Sequence, residues 1–126
     1  MIFGIGTDIV GVSRMESALE RHGDRFAERI LAESELQEFQ QSGKPAHFLA
    51  KRFAAKEAAA KAFGTGFRDG LSMSHISVAH DELGKPILQF TGKAEEYCFN
   101  NGIGESFISI SDEKEHAVAF VTLLKS

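Results

Sequence analysis

Residues 48–66 read FLAKRFAAKEAAAKAFGTG, and six alanines between Ala54 and Ala62 make this the strongest helix former in the chain. Pro45 suits a first helical position, and Gly64 is where such a helix would stop in a left-handed cap. Glu57 and Lys61 lie one turn apart on the same face, with Lys56 beside them and Arg52 a turn before Lys56. A Glu four residues ahead of a Lys is the favoured ion-pair orientation, so a surface pair of about 0.3 kcal/mol is one reading. A functional pair is the other. The helix alone does not decide.

Composition narrows the classes. A chain of 126 residues with 43% apolar content predicts one domain over residues 1–126, with a core that needs neither disulfide nor structural metal. No apolar run approaches the ~20 residues that cross a bilayer. Met1 to Val10 is apolar but lacks a cationic start and a cleavage site, so it reads as a strand rather than a signal peptide. The single cysteine, Cys98, excludes an intrachain disulfide and suits a reducing compartment, hence a cytoplasmic location. Beside Tyr97 and Phe99 it reads as a packing residue. A net charge of −4 argues against a general nucleic-acid binder, although a local basic face could still meet an anionic partner. Eleven Phe with no Trp and one Tyr predict an aromatic, dry core.

Along the chain, IFGIGTDIV (residues 2–10) reads as a first strand, interrupted by Gly4 and Gly6. Glycine there permits a close approach of backbone or ligand. Asp8 sits in this apolar surround and must be paired, hydrogen-bonded or metal-bound. Ser13–His22 reads as a helix capped by Ser13, with Gly23 as its stop and Asp24 as a fresh cap for a short helix to Leu31. Were the two continuous, Arg14, Arg21, Arg25 and Arg29 would share about 80° of one face. Neighbouring acids make a solvated mixed face an equal reading. Ser34-Glu35-Leu36-Gln37 matches a capping box and opens another short helix through Gln41.

After the central helix, Gly64–Gly70 is a flexible loop offering backbone donors and the Thr65 hydroxyl beside Lys61. Residues 76–79 and 87–90 predict a hairpin around Gly84-Lys85-Pro86. Thr91 opens a helix that Asn101-Gly102 closes. Residues 107–111 and 117–124 form a second hairpin. The class is α+β: an antiparallel sheet packed against a long central helix and shorter ones.

The charged groups embedded in these elements are Asp8, Glu57 and Lys61. Two carboxylates brought together suit a hard divalent cation such as Mg2+, which fills its octahedron with waters and phosphate oxygens. Lysine and a glycine-threonine loop would supply the phosphate partner. This points to Mg2+-dependent chemistry on a phosphate or pyrophosphate, provided that Asp8 and Glu57 meet, which spacing does not establish.

The GIGTDIV start (residues 4–10), with RFAAKEAAAKAFGTG (residues 52–66) some forty residues later, resembles the small class of the 4′-phosphopantetheinyl transferase superfamily, the holo-[acyl-carrier-protein] synthases. Arg14, Phe26-Ala27-Glu28-Arg29, Gly84-Lys85-Pro86 and the last hairpin extend the likeness. The resemblance implies transfer of phosphopantetheine from coenzyme A to a serine of apo acyl carrier protein, in fatty acid biosynthesis. It implies Asp8 and Glu57 as Mg2+ ligands and Lys61 on the phosphates, these three being the catalytic set. Gly64 and Thr65 would approach the nucleotide phosphates, with Arg52, Gly84, Lys85 and Pro86 near the adenosine end of coenzyme A. Arg14, Arg21, Arg25 and Phe26 would dock the acidic carrier protein, and the chain would form a homotrimer with sites at subunit interfaces.

Many relatives place a histidine after the serine of the penultimate strand, where this chain has Asp112 after Ser111. The general base is thereby left open, with Asp112 one candidate. His116, across the turn, is not an evident replacement. Two other classes fit part of the sequence: another Mg2+-dependent enzyme of nucleotide pyrophosphates, and a non-catalytic module that binds acidic proteins through Arg14, Arg21 and Arg25.

Overall fold

A helix faced with alanine on every side can be approached closely from all round. The computed structural model, which describes residues 1–126, uses the central helix in that way. This helix, α4, spans Pro45–Phe63 with Pro45 in its first turn and Gly64 in the left-handed cap (φ 85°). Eleven of its nineteen residues are buried, so it is an internal axis rather than a surface helix.

The elements run β1 (Ile2–Gly11), α1 (Val12–His22), α2 (Asp24–Ile30), α3 (Glu33–Gln41), α4, a 3-10 turn (Met73–His75), β2 (Ile76–His80), β3 (Pro86–Phe90), α5 (Gly92–Asn100), β4 (Ile103–Asp112) and β5 (His116–Lys125). An antiparallel sheet of order β1-β5-β4 packs one face on α4, and β2-β3 forms a separate two-stranded sheet. The predicted α+β class is the observed one. On β5 the alternation is clean: Ala117, Ala119, Val121 and Leu123 point inward, while Val118 and Phe120 point out. With Ile5, Ile9 and Phe107, those outward residues leave the far face of the sheet apolar and uncovered.

Several sequence expectations change. The core is not chiefly aromatic: of the eleven Phe, only Phe39 and Phe63 are buried. The alanines of α4 fill the interior instead, because the sheet lies too close to the helix for rings between them. The predicted caps Ser13, Asp24 and Ser34 are not caps; Gly11, Gly23 and Ala32 hold those positions. The last is closed by Glu35, whose carboxylate accepts the Ala32 N–H at 2.9 Å. The expected stop at Gly23 is observed (φ 61°, ψ −152°): it separates α1 from α2, so the four arginines do not share the face that one continuous helix would give them. Cys98 is a half-buried packing residue, its thiol pushed up to about 11 by burial and by Glu95. No helix is long and apolar enough to cross a membrane.

Candidate active site

The site begins with the glycines of β1. A Cβ on Gly4 would lie 2.0 Å from the Ala62 carbonyl oxygen, and one on Gly6 2.0 Å from that of Ala58. Only a strand bare of side chains at both positions can lie on the helix backbone in this way. That contact carries Asp8, the next residue on the same face, alongside the exposed edge of α4.

There the Lys61 ammonium donates to Asp8 Oδ1 at 3.1 Å and to the Thr7 carbonyl at 3.0 Å. The ion pair open to the sequence reading, Glu57 with Lys61, is therefore replaced by a pair across elements. Asp8 is 17% and Lys61 54% exposed. Glu57 is half-buried, and burial pushes its carboxyl above the ordinary value. The Asp8 carboxylate pushes it the same way, while Lys61 and Arg14 pull it down. Asp8 is thus near enough for its charge to act on Glu57.

No third His, Cys, Asp or Glu completes a closed metal cage here. Two converging carboxylates beside a lysine do fit a hard cation that keeps most of its coordination for water and phosphate, as Mg2+ does.

Arg14 reaches the same cluster. Its guanidinium lies over the Phe53 ring at 5.1 Å, and its charge acts on Glu57. Arg21 shares α1 with it, seven residues on, while Arg25 stands exposed on α2 and Phe26 is half-buried against the core.

The remaining candidates divide between two other places. Thr65 lines a cleft of about 310 Å3 with Arg68, Lys93 and Tyr97, just past the Gly64 cap. Gly84 and Pro86 line a second cleft, about 200 Å3, with Arg52, His80 and Asp112. Lys85 in the same turn lies 6.0 Å from the Phe107 ring. Asp81 Oδ1 fixes this turn by accepting the N–H groups of Leu83 and Lys85, each at 2.9 Å. Arg52 borders the cleft but is not free: it pairs with Glu35 at 3.1 Å and Glu38 at 3.2 Å.

Asp112 belongs to this second region. Asp8 lies opposite Ala119, Ala119 opposite Ile110, and Asp112 two residues beyond. Two strand spacings of about 4.8 Å and two residue rises put the Cα atoms roughly 12 Å apart. Within one chain, then, Asp112 is not beside the Asp8–Glu57 pair. His116 is exposed and contacts Glu113 Oε1 at 3.3 Å.

Sequence reading missed two groups. Lys44, His47 and Lys51 line the largest cleft, about 580 Å3, together with Asp112 and Lys114. Their spacing, at the N-cap and along the first turns of α4, is a usable signal in the sequence. Glu35 and Lys56 were also missed as buried charges.

Residues 4–121 match the 4′-phosphopantetheinyl transferase superfamily. The chain is 58% identical to the holo-[acyl-carrier-protein] synthase of Halorhodospira halophila over 98% of each chain. It is similar to the crystal structure of holo-[acyl-carrier-protein] synthase from Neisseria meningitidis at 47% identity and TM-score 0.94, over 99% of this chain and 100% of that one. A Bacillus anthracis holo-(acyl-carrier-protein) synthase, solved in complex with CoA (3′,5′-ADP), is 41% identical with TM-score 0.83, over 100% of this chain and 99% of that one. The chain that sets GIGTD against KEAAAK belongs to the 4′-phosphopantetheinyl transferase superfamily, among its holo-[acyl-carrier-protein] synthases.

Proposed function

We propose that this enzyme transfers 4′-phosphopantetheine from coenzyme A to a serine of apo acyl carrier protein, releasing adenosine 3′,5′-bisphosphate. The observation that carries the reading is the meeting of Asp8, Glu57 and Lys61 where β1 crosses α4. The serine oxygen forms a bond to the phosphorus that bears the pantetheine arm, and the bond from that phosphorus to the bridging oxygen breaks. The hydroxyl proton passes to water, and the electron pair of the broken bond stays on the bridging oxygen, which leaves as part of the nucleotide phosphate.

Asp8 and Glu57 hold Mg2+, which supplies charge neutralisation on the pyrophosphate when bound. Lys61 needs only to turn from Asp8 to meet a phosphate oxygen, because its ammonium is already at the site. Positioning and charge stabilisation are what phosphoryl-type transfer chiefly requires. Gly64 and Thr65 lie one turn further along and approach the same phosphates.

The nucleotide end occupies the clefts that share Phe48, Lys51 and Asp112. Lys44, His47 and Lys51 meet its phosphate there, with Gly84, Lys85 and Pro86 against the adenosine. Arg52 shapes this floor through packing, since two carboxylates already offset its charge. Arg14, Arg21, Arg25 and Phe26 receive the acidic carrier protein, and Arg14 brings the incoming serine to Glu57.

The uncovered sheet face of Ile5, Ile9, Phe107, Val118 and Phe120 is the surface through which the chain forms a homotrimer. A base role for Asp112 then requires a neighbouring subunit. The half-buried free cysteine suits a reducing compartment, hence the cytoplasm, where the enzyme would supply holo carrier protein to fatty acid biosynthesis.

The test is mass spectrometry of apo carrier protein incubated with coenzyme A and Mg2+. A gain equal to phosphopantetheine supports the reading, and nucleotide release without any protein adduct rejects it. Light scattering that finds an active monomer rejects the trimer.

A further inference from the structure

Lys56 and Lys61 stand little more than a turn apart on α4 and hold their charges differently. The Lys56 ammonium is fully buried and uses all its donors: on Glu35 Oε1 at 2.7 Å, on the Met73 carbonyl at 2.9 Å and on the Ile76 carbonyl. The Lys61 ammonium bonds only Asp8 Oδ1, at 3.1 Å, and the Thr7 carbonyl, at 3.0 Å. It is half exposed, so its remaining donor meets water and its bonds can be exchanged at little cost. Lys61 also passes over Glu57, its helix neighbour, to reach Asp8 on β1.

The two bonds of Lys61 differ in what competes for them. Asp8 is the better-buried end of the ion pair, and with Glu57 it fits a hard cation. A divalent cation on either Asp8 oxygen stands beside the Lys61 ammonium, and like charges so placed repel. Lys61 and the cation therefore contend for one carboxylate. The Thr7 carbonyl is neutral, lies on the edge strand β1, and attracts a hard cation less than the two carboxylates do. An ammonium turned off Asp8 keeps this bond as a pivot and stays at the site with its other donors open. All these groups lie on β1 and α4 of one chain, so the exchange needs no neighbouring subunit.

We propose that Lys61 is a counter-ion which a divalent cation displaces from Asp8, and that the displaced ammonium, still held by the Thr7 carbonyl, meets the pyrophosphate of coenzyme A. While bonded to Asp8, Lys61 has its charge offset and offers little to an incoming phosphate. Once released, it offers a full charge and open donors. Cation and coenzyme A then bind with positive coupling that runs through this side chain, and each raises the affinity for the other by the same factor. The inference rests on the proposed roles of Asp8 and Glu57 toward Mg2+ and of coenzyme A as donor.

Titration calorimetry of the whole enzyme tests it, at one pH of about 8, above the ordinary carboxylate range. Coenzyme A is titrated with saturating Mg2+ and again with divalent cations chelated. Lys61→Met weakens its binding about tenfold with Mg2+ and less than about threefold without. An equal loss under both conditions means that the lysine reaches the phosphate whatever the cation does, and overturns the proposal. Mn2+ titrated with no nucleotide reads the displacement directly. Lys61→Met binds Mn2+ about tenfold more tightly than the unaltered enzyme. Arg14→Met removes another charge that acts on Glu57, but no bond to Asp8, and changes Mn2+ binding less than about threefold. No tightening in Lys61→Met, or equal tightening in both variants, overturns the proposal. Should Lys61→Met fail to fold, Lys61→Gln is read in the same titrations. Failure of the unaltered enzyme to bind coenzyme A with Mg2+ overturns the proposed function, whereas the Mn2+ titration reads the displacement on its own.

Discussion

Two charged clusters share α4 within two turns, and they are built to opposite ends. Around Lys56, every ammonium donor and both oxygens of Glu35 are engaged, away from water. Around Lys61, the cation is half exposed and holds Asp8 by a single bond, while Glu57 has no hydrogen-bonded cation of its own. A buried charge needs complete satisfaction, or it costs several kcal/mol. An exposed one can be left incomplete at little cost, and it is then free to bind something else. Saturation marks the structural cluster, and shortfall marks the reactive one.

Removing a ligand from the open cluster separates the two most sharply. Asp8→Ala or Glu57→Ala lowers transfer to the carrier protein by about 10³-fold, roughly 4 kcal/mol of transition-state stabilisation. Chemical denaturation of these variants stays within about 1 kcal/mol of the parent. The same measurements on Lys56→Met reverse the pattern: leaving Glu35 short of a partner costs about 3 kcal/mol of folding stability. Lys61→Met, its counterpart in the open cluster, changes stability by less than about 1 kcal/mol but still impairs transfer.

Gly6→Ala forces a methyl onto the Ala58 carbonyl and separates β1 from α4. Its expected cost is about 2 kcal/mol in denaturant titration, accompanied by loss of transfer as Asp8 moves off Glu57.

The smallest effect is in pH. Burial first, and Asp8 second, raise the Glu57 carboxyl above its ordinary 4.5. In the window that opens near that value, the folded chain keeps a proton that the unfolded chain has lost. Stability of the metal-free protein therefore falls as pH rises through the window. Glu57→Gln removes this slope in thermal melts. Above the window, Mg2+ at ten times its Kd stabilises the parent by about 1.4 kcal/mol and leaves Glu57→Gln unchanged.

What could be read from the sequence follows the same division. α4 and β1 were legible because alanine content, Pro45, Gly64 and a β-prone run with paired glycines are local signals. Asp8, Glu57 and Lys61 were legible as charges inside ordered elements. Arg52 and Lys56 were not legible as buried charges, because a helix rich in alanine on all sides has no polar face to say which charges turn inward; Glu35, on α3, was not, because a place in a capping box gave it a local role. The break at Gly23 was legible too, as a glycine between two helical runs, and with it the end of any single arginine face across α1 and α2. The clefts around Lys44 and Gly84 needed the fold, since segments far apart in the chain build them.

The contact of Gly4 and Gly6 with the helix carbonyls carries a consequence for how such an enzyme can change. Because main chain rests on main chain, the gap between the two carboxylates is set by atoms common to every amino acid. Interior side chains can drift or be redesigned elsewhere without loosening that gap. The same bareness leaves no room for adjustment at the two glycines themselves, where even one added carbon has nowhere to go.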